Sequence, residues 1–163
     1  MDAEVIDGTE EARLSFAGAM SGVQVSDEPV LVIDCGGGST ELVLGRGTGI
    51  DSQVSINIGS VRLRERFLHD DPPTVEQIDA ARKYVRETLA SCPVDVAAAR
   101  TVIGVAGTVT SLSAIEQGLT EYDRAKVHRS VLTVGQISDL AGKLLSSTVD
   151  EVCLLYTSDA ADE

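Results

Sequence analysis

The alternation of apolar and polar positions along the chain predicts strands and helices in turn. Apolar residues run without interruption over 30–33 and return at 42–44, which predicts strands at about 30–34 and 41–45. A third strand is expected at about 52–58 and a fourth over 100–105, each close to a glycine. The pattern therefore predicts a sheet rather than a helical bundle.

Helical spacing appears between and after these strands. Val75, Ile78, Val85 and Leu89 follow a helical period, and Thr74 opens a capping-box pattern just before them. Shorter helices are expected up to about residue 66 and from the glycines after residue 103 to about 117. Residues 131–134 are interpreted as a short extended segment before a closing helix over 135–145. The mixture of elements predicts an α/β fold.

Composition and charge narrow the class of protein. A chain of 163 residues with 43% hydrophobic and 24% charged residues suffices for one globular domain with an aliphatic core. The net charge of −13 argues against a nucleic-acid partner, since binding that polyanion needs clustered Lys and Arg. No run approaches the ~18 apolar residues of a membrane helix. We therefore expect a cytoplasmic protein without nucleic-acid or membrane partners.

The candidate chemistry is concentrated in DCGGGSTE, residues 34–41, which joins the first two predicted strands. Gly36, Gly37 and Gly38 can take positive φ, let an anion approach closely and present successive N–H groups as a nest. Ser39 and Thr40 add hydroxyl donors, while Asp34 and Glu41 supply two carboxylates suited to Mg²⁺. The alternative is a tight hairpin whose two acids are solvated strand ends.

A second glycine turn lies between the fourth strand and the helix after it. Gly107 and Thr108 fall where the N–H groups of a helix N-terminus attract anions. On the residues alone, a merely tight strand-to-helix connection explains this turn equally well. A basic cluster lies on the short helix predicted after the third strand and consists of Arg62, Arg64 and Arg66. This cluster is interpreted either as a binding face or as a solvated helix surface.

These motifs together resemble a known family. DCGGGSTELVLG resembles the second phosphate motif of the exopolyphosphatase and guanosine pentaphosphate phosphatase (Ppx/GppA) family, a branch of the actin-like ATPase superfamily. EEARL at 10–14 and GVAGTVT at 104–110 resemble two further segments of that family, as do DPPT at 71–74 and KVHRSVLTVGQI at 126–137. The resemblance covers about residues 7–146. It implies a ribonuclease H-like lobe, with a mixed β-sheet and helices on its faces.

The resemblance also implies an activity. Members hydrolyse a terminal phosphoanhydride with a divalent cation, releasing orthophosphate from inorganic polyphosphate or from guanosine pentaphosphate, and the residues alone do not separate these substrates. Glu11 matches the catalytic base, although only the EEARL register distinguishes it from Glu10. Asp34 and Glu41 match the magnesium site, and the two glycine turns match the phosphate cradle. A non-catalytic phosphate- or nucleotide-binding module is the alternative of another class.

The same resemblance predicts the extent of the domain. Residues 1–147 correspond to the second lobe, and an earlier lobe with its own D-x-G-S-N-S turn is expected to be missing. We therefore expect the isolated chain to be inactive. For the full-length protein, the resemblance leaves a homodimer as an option. Residues 148–163 leave the family pattern and end in a small acidic segment, so a non-native or disordered tail is predicted.

Overall fold

The computed structural model describes residues 6–21 and 27–155. Four strands lie in this part of the chain: β1 (Val30–Cys35), β2 (Thr40–Arg46), β3 (Gly49–Ile56) and β4 (Thr101–Val105). The helices are α1 (Gly8–Met20), α2 (Ser60–Phe67), α3 (Val75–Ala90), α4 (Ala106–Glu116), α5 (Arg124–Val127), α6 (Val134–Leu145) and α7 (Val149–Leu155).

The strands form one mixed sheet. Their order is β3-β2-β1-β4, in which β1, β2 and β3 are successive antiparallel neighbours and β4 is parallel to β1. Most strand ends lie within two residues of their expected positions. The exception is the start of β3, which comes earlier than expected, at Gly49. The predicted mixed sheet is confirmed, and the parallel pair places the carboxyl ends of β1 and β4 at one edge.

Alternation along the strands builds an apolar layer on each face of the sheet. Val30, Val32 and Val43 face α1 and pack with its buried Phe16. Gly45 makes room for that ring, since a Cβ there would lie 2.6 Å from Phe16 Cζ. On the opposite face the buried residues are Leu31, Leu42, Leu44 and Val94. Because side chains alternate between the two faces, Asp34 shares the α1 face with Val30 and Val32.

Side-chain caps fix where the helices begin. Thr74 and Gln77 form the capping box expected at the start of α3. An equivalent box formed by Thr133 and Gln136 starts α6 at Val134. The expected extended segment over 131–134 is therefore wrong at its last residue, and residues 131–133 are irregular rather than strand. The capping bonds set this boundary because they satisfy N–H groups that the first helical turn leaves open.

Three short elements were not expected from the pattern. They are a 3-10 helix over Val96–Ala98, α5 and α7. Within the region predicted to be a tail, α7 is attached to the rest of the fold, because Val149 N donates to Asp71 Oδ1 at 2.9 Å. Residues 149–155 are thus helical. Residues 156–163 lie outside the described residues, and the non-native origin of the segment stays a prediction.

None of the helices in the described ranges is long and apolar enough to cross a bilayer.

Candidate functional site

One row of residues crosses the sheet near the carboxyl end of β1, on the face that α1 covers. In the antiparallel registers Asp34 lies opposite Glu41, and Glu41 lies opposite Ser55. Directly opposed residues of antiparallel strands have Cβ atoms about 4.5–5.5 Å apart, so the two carboxylates are near neighbours. The two acids recognised in the sequence are therefore brought together by strand pairing.

Each of these carboxylates has a hydroxyl partner. Glu41 is only 1% exposed, and its Oε1 accepts a hydrogen bond from Ser55 Oγ at 2.6 Å. Asp34 is half-buried, and its Oδ2 accepts a short hydrogen bond from Ser15 Oγ of α1. A buried carboxylate without a cationic partner is costly unless it is hydrogen-bonded. The row is therefore a concentration of negative charge held inside the fold.

Helix α1 places a third carboxylate above the row. A Cβ at Gly8 would lie 2.7 Å from Ser55, so the first turn of α1 runs very close to β3. Gly8, Glu11 and Ser15 recur at helical spacing and share one face of α1. Because Gly8 contacts β3 and Ser15 contacts Asp34, Glu11 lies between them, over the acidic row.

The two adjacent glutamates have different surroundings. Glu10 accepts hydrogen bonds from Arg13, whose guanidinium holds the pKa of Glu10 below its usual value. Glu11 is an exposed residue, yet partial desolvation and the negative charges of Glu41 and Asp34 raise its pKa. The structure thus distinguishes two residues that the sequence leaves equivalent. The carboxylate of Glu10 forms an ion pair with Arg13, whereas the carboxyl group of Glu11 faces other negative charges.

The glycine turn is held through its carbonyl groups by the start of α2. Gly36 O accepts from Ser60 N at 3.0 Å, and Gly37 O accepts from Arg62 N at 3.1 Å. Gly38 O accepts from Arg62 Nε at 2.8 Å. In a planar trans peptide the C=O and N–H point in opposite directions, so the N–H groups of residues 37–39 point away from α2.

Those N–H groups are available to a ligand. In residues 6–21 and 27–155, no acceptor for the N–H of Gly37, Gly38 or Ser39 is found. Gly37 and Gly38 are exposed, and Ser39 is half-buried. Successive N–H groups on an exposed turn form a concave site for an anion.

The reason for glycine in this turn differs from the expectation. None of Gly36, Gly37 and Gly38 has a positive φ, so the left-handed conformation open to these glycines is not used in this turn. Close packing explains Gly37 in part, since a Cβ there would lie 3.2 Å from Val61 Cγ2. The tightest approach comes from Gly59, where a Cβ would lie 2.3 Å from Gly37 O.

The hydroxyl of Thr40 has a structural contact. Thr40 is 8% exposed, and its Oγ1 donates to Ile58 O at 2.6 Å. That bond ties the start of β2 to the residue before Gly59. The predicted phosphate contact of Thr40 stays a prediction, and its hydroxyl proton is already used within the fold.

The second glycine turn opens α4, as the sequence indicated. Gly107 and Thr108 lie in the first turn of α4, while Ala106 has a φ of 69°, in the left-handed region that L residues seldom adopt. Gly104 is required by packing, since a Cβ there would lie 2.6 Å from Val109 Cγ1. Asp34 pairs with Val105 across the parallel strands, so both glycine turns leave the sheet at the same edge.

The donor set suits a hard cation only in part. Within the two described ranges, no group of three or more His, Cys, Asp or Glu side chains is arranged to hold a metal ion. Magnesium, however, is commonly bound through one or two carboxylates together with water and substrate phosphates. Asp34 and Glu41 fit that mode, because their opposed carboxylates lack a cationic partner in the described residues. Their assignment as metal ligands stays a prediction.

A family model and several curated proteins match most of this chain. The model of the Ppx/GppA phosphatase family matches residues 1–159. The chain is 46% identical over 148 residues to exopolyphosphatase 2 of Mycobacterium tuberculosis, covering 90% of this chain and 46% of that protein. It is also 36% identical over 138 residues to a bifunctional 3-dehydroquinate synthase/phosphatase of Fusobacterium nucleatum, covering 82% of this chain and 21% of that protein.

Solved structures agree with the sequence relatives. An exopolyphosphatase-like protein superposes with a TM-score of 0.88 at 44% identity, covering 96% of this chain and 52% of that one. The Ppx/GppA family member from Aquifex aeolicus gives a TM-score of 0.80 at 35% identity, with coverages of 93% and 48%. The predicted ribonuclease H-like, actin-like ATPase fold is confirmed. The chain spans about half the length of these two solved chains and of the Mycobacterium tuberculosis relative.

Proposed function

Since this chain belongs to the Ppx/GppA phosphatase family, we propose that it carries the carboxylates and the phosphate cradle for hydrolysis of a terminal phosphoanhydride. The proposed reaction releases orthophosphate from inorganic polyphosphate. One observation supports it above the others: the acidic row of Asp34 and Glu41, with Glu11 above it, adjoins a turn with three available N–H groups.

Glu11 is proposed as the general base. A base that takes a proton from water near neutral pH is helped by a pKa raised towards the working pH. Desolvation and the nearby Glu41 and Asp34 charges act in that direction on Glu11, whereas Arg13 acts in the opposite direction on Glu10. In this proposal Glu11 orients the attacking water and accepts its proton during in-line attack on the terminal phosphorus.

The glycine turns are proposed to hold the substrate. The N–H groups of residues 37–39 would donate to oxygens of the terminal phosphoryl group, where negative charge is spread in the transition state. Ser39 adds a hydroxyl donor. The first turn of α4, with Gly107 and Thr108, would face the same phosphates from the neighbouring strand end.

Asp34 and Glu41 would hold a hard divalent cation such as Mg²⁺ next to this cradle. When bound, such a cation supplies positive charge that neutralises phosphate oxygens. The residues of this chain would then perform two tasks: the turns position the phosphate, and Glu11 holds the water on the acidic side.

Polyphosphate is the proposed substrate because the Mycobacterium tuberculosis relative is named an exopolyphosphatase. The net charge of −13 does not contradict this choice, because the reacting phosphates would contact backbone amides locally. Since the chain spans about half of that relative, we propose that turnover requires the remaining half, and that the isolated chain is inactive.

A chimera provides the test. The 148 residues of this chain that align with the Mycobacterium tuberculosis relative replace the matching segment of that full-length protein. Phosphate release is then measured with Mg²⁺ from polyphosphate and from guanosine pentaphosphate. The unaltered relative and the Glu11→Gln chimera are the controls. Phosphate release from polyphosphate that disappears with Glu11→Gln supports the proposal. Phosphate release from guanosine pentaphosphate alone would identify that compound as the substrate in place of polyphosphate. A folded chimera that binds tripolyphosphate without turnover would indicate a binding module.

A further inference from the structure

The start of α2 lies outside both glycine turns, yet its residues bind the turn of residues 36–38. Three consecutive carbonyl groups of the turn, those of residues 36–38, are bound by donors from residues 60 and 62. Two of these donors are backbone N–H groups of α2. The third is the side chain of Arg62, whose Nε donates to the carbonyl of the Gly38–Ser39 peptide.

Arg62 is well placed for this contact. Its backbone N–H holds Gly37 O and its Nε holds Gly38 O at 2.8 Å, so one residue fixes two successive peptides. A hydrogen bond from a guanidinium is charge-assisted and stronger than a neutral one. Arg62 also forms no ion pair with a carboxylate of the described residues, so no such pair holds its side chain away from the turn.

The other two arginines of α2 have unrelated contacts. Arg64 Nη1 donates to Leu68 O at the far end of the helix. The Arg66 guanidinium lies over the Tyr84 ring, with its carbon 4.3 Å from the ring centroid. The basic cluster noted in the sequence is therefore three separate interactions, and only Arg62 contacts the glycine turn.

We propose that Arg62 is the positioning residue of the anion-binding turn: its guanidinium holds Gly38 O and thereby directs the Ser39 N–H towards the bound phosphate. The proposal rests on the phosphate binding proposed above. Without this bond the Gly38–Ser39 peptide loses its contact with α2, and the direction of the third donor of the nest is no longer set by that helix, although Gly36 N still donates to Ser39 O at 3.1 Å. Gly36 and Gly37 keep their backbone bonds to α2, so the turn itself is expected to persist.

Amide NMR of the ¹⁵N-labelled chain tests this inference without any need for turnover. Inorganic tripolyphosphate is titrated into the wild-type chain and into Arg62→Met, Arg62→Lys and Arg64→Met. Met removes the donors while keeping an unbranched side chain, Lys retains a donor and the charge, and Arg64→Met is a matched change on the same helix. The readouts are the dissociation constant and the ligand-induced shifts of the Gly37, Gly38 and Ser39 amides.

We expect Arg62→Met to weaken binding about tenfold, the loss of roughly one charge-assisted hydrogen bond, and to abolish chiefly the Ser39 shift. Arg62→Lys should recover part of both, and Arg64→Met should match wild type. Equal binding and an equal Ser39 shift in Arg62→Met and wild type would overturn the Arg62 assignment alone. No turn shifts in wild type would overturn the phosphate binding as well. If Arg62→Met does not fold, the comparison rests on Arg62→Lys and Arg64→Met. A higher dissociation constant and a smaller Ser39 shift in Arg62→Lys, with wild-type values in Arg64→Met, support the assignment; an Arg62→Lys indistinguishable from wild type overturns it.

Discussion

Replacing Gly59 by alanine should disturb the anion-binding turn through a direct backbone collision. Gly59 has φ −146° and ψ 163°, extended values that alanine adopts without strain, so the backbone angles are not the obstacle. The obstacle is space. A Cβ on residue 59 would lie 2.3 Å from Gly37 O, 2.4 Å from Gly37 C and 2.6 Å from Gly38 N.

The size of the effect follows from what must move. All three atoms belong to the backbone, so no side-chain rotation relieves the contacts, and either the turn or the start of α2 has to shift. Overpacking of this kind costs about 1–3 kcal/mol of unfolding free energy. In a domain of this size each kcal/mol lowers Tm by about 2–4 °C, so a decrease of about 2–12 °C is expected.

Thermal unfolding measures the first part of this prediction, and tripolyphosphate titration measures the second. Gly18→Ala is the control, because Gly18 lies in α1 and a Cβ there has no atom within 4 Å. The control should stabilise the helix by about 0.5–1 kcal/mol, as alanine does in place of a mid-helix glycine. Gly59→Ala should lower Tm and weaken tripolyphosphate binding, whereas Gly18→Ala should raise Tm and leave binding unchanged.

A Gly59→Ala chain with the wild-type Tm and normal tripolyphosphate binding would show that the turn and α2 are not in the tight contact described. A lower Tm with normal binding would refute only the link between this contact and the anion site.

Three further predictions concern the acidic row and the helix caps. The raised pKa of Glu11 means that the folded state binds the proton of this carboxyl group more tightly than the unfolded state does. The contribution of Glu11 to the free energy of unfolding therefore favours folding at low pH. It is lost as the pH rises from about 4.5, the ordinary pKa, through the raised pKa of the folded state. Glu11→Gln should remove that decline in pH-dependent denaturant melts, and an unchanged profile would contradict the assigned environment. Glu10→Gln breaks an exposed pair with Arg13 and should leave Tm nearly unchanged, whereas a large decrease would show that this pair is structural. Thr74→Ala removes the side-chain acceptor for Gln77 N and should cost about 1 kcal/mol in urea unfolding, while Thr74→Ser should behave as wild type.

Much of the fold could be predicted because its signals are local. Uninterrupted apolar runs fixed β1 and β2, and the Thr74 capping box marked the start of α3. The short helix α5 was missed because four residues are too few to show a helical period. Its one clear signal is Asp123, whose side chain accepts from Ala125 N.

The candidate site could be predicted only as far as its residue types allow. Asp34 and Glu41 were recognised because they flank the glycine run, and strand pairing does place them opposite each other. Arg62 was not linked to the turn, since its contact with Gly38 spans 24 residues of sequence. The difference between Glu10 and Glu11 likewise depends on which face of α1 meets the sheet, which residue identity alone does not reveal.

We propose that Glu11, above the acidic row, acts as the base at a phosphate-binding turn. The most direct test compares polyphosphate hydrolysis by the chimera with Glu11→Gln and with Glu10→Gln, while tripolyphosphate binding is followed in each. We expect Glu11→Gln to lower kcat by about 10²–10⁴-fold with binding retained, and Glu10→Gln to remain within a few-fold of the unsubstituted chimera. Turnover that survives Glu11→Gln, or that is lost equally in both variants, would contradict it.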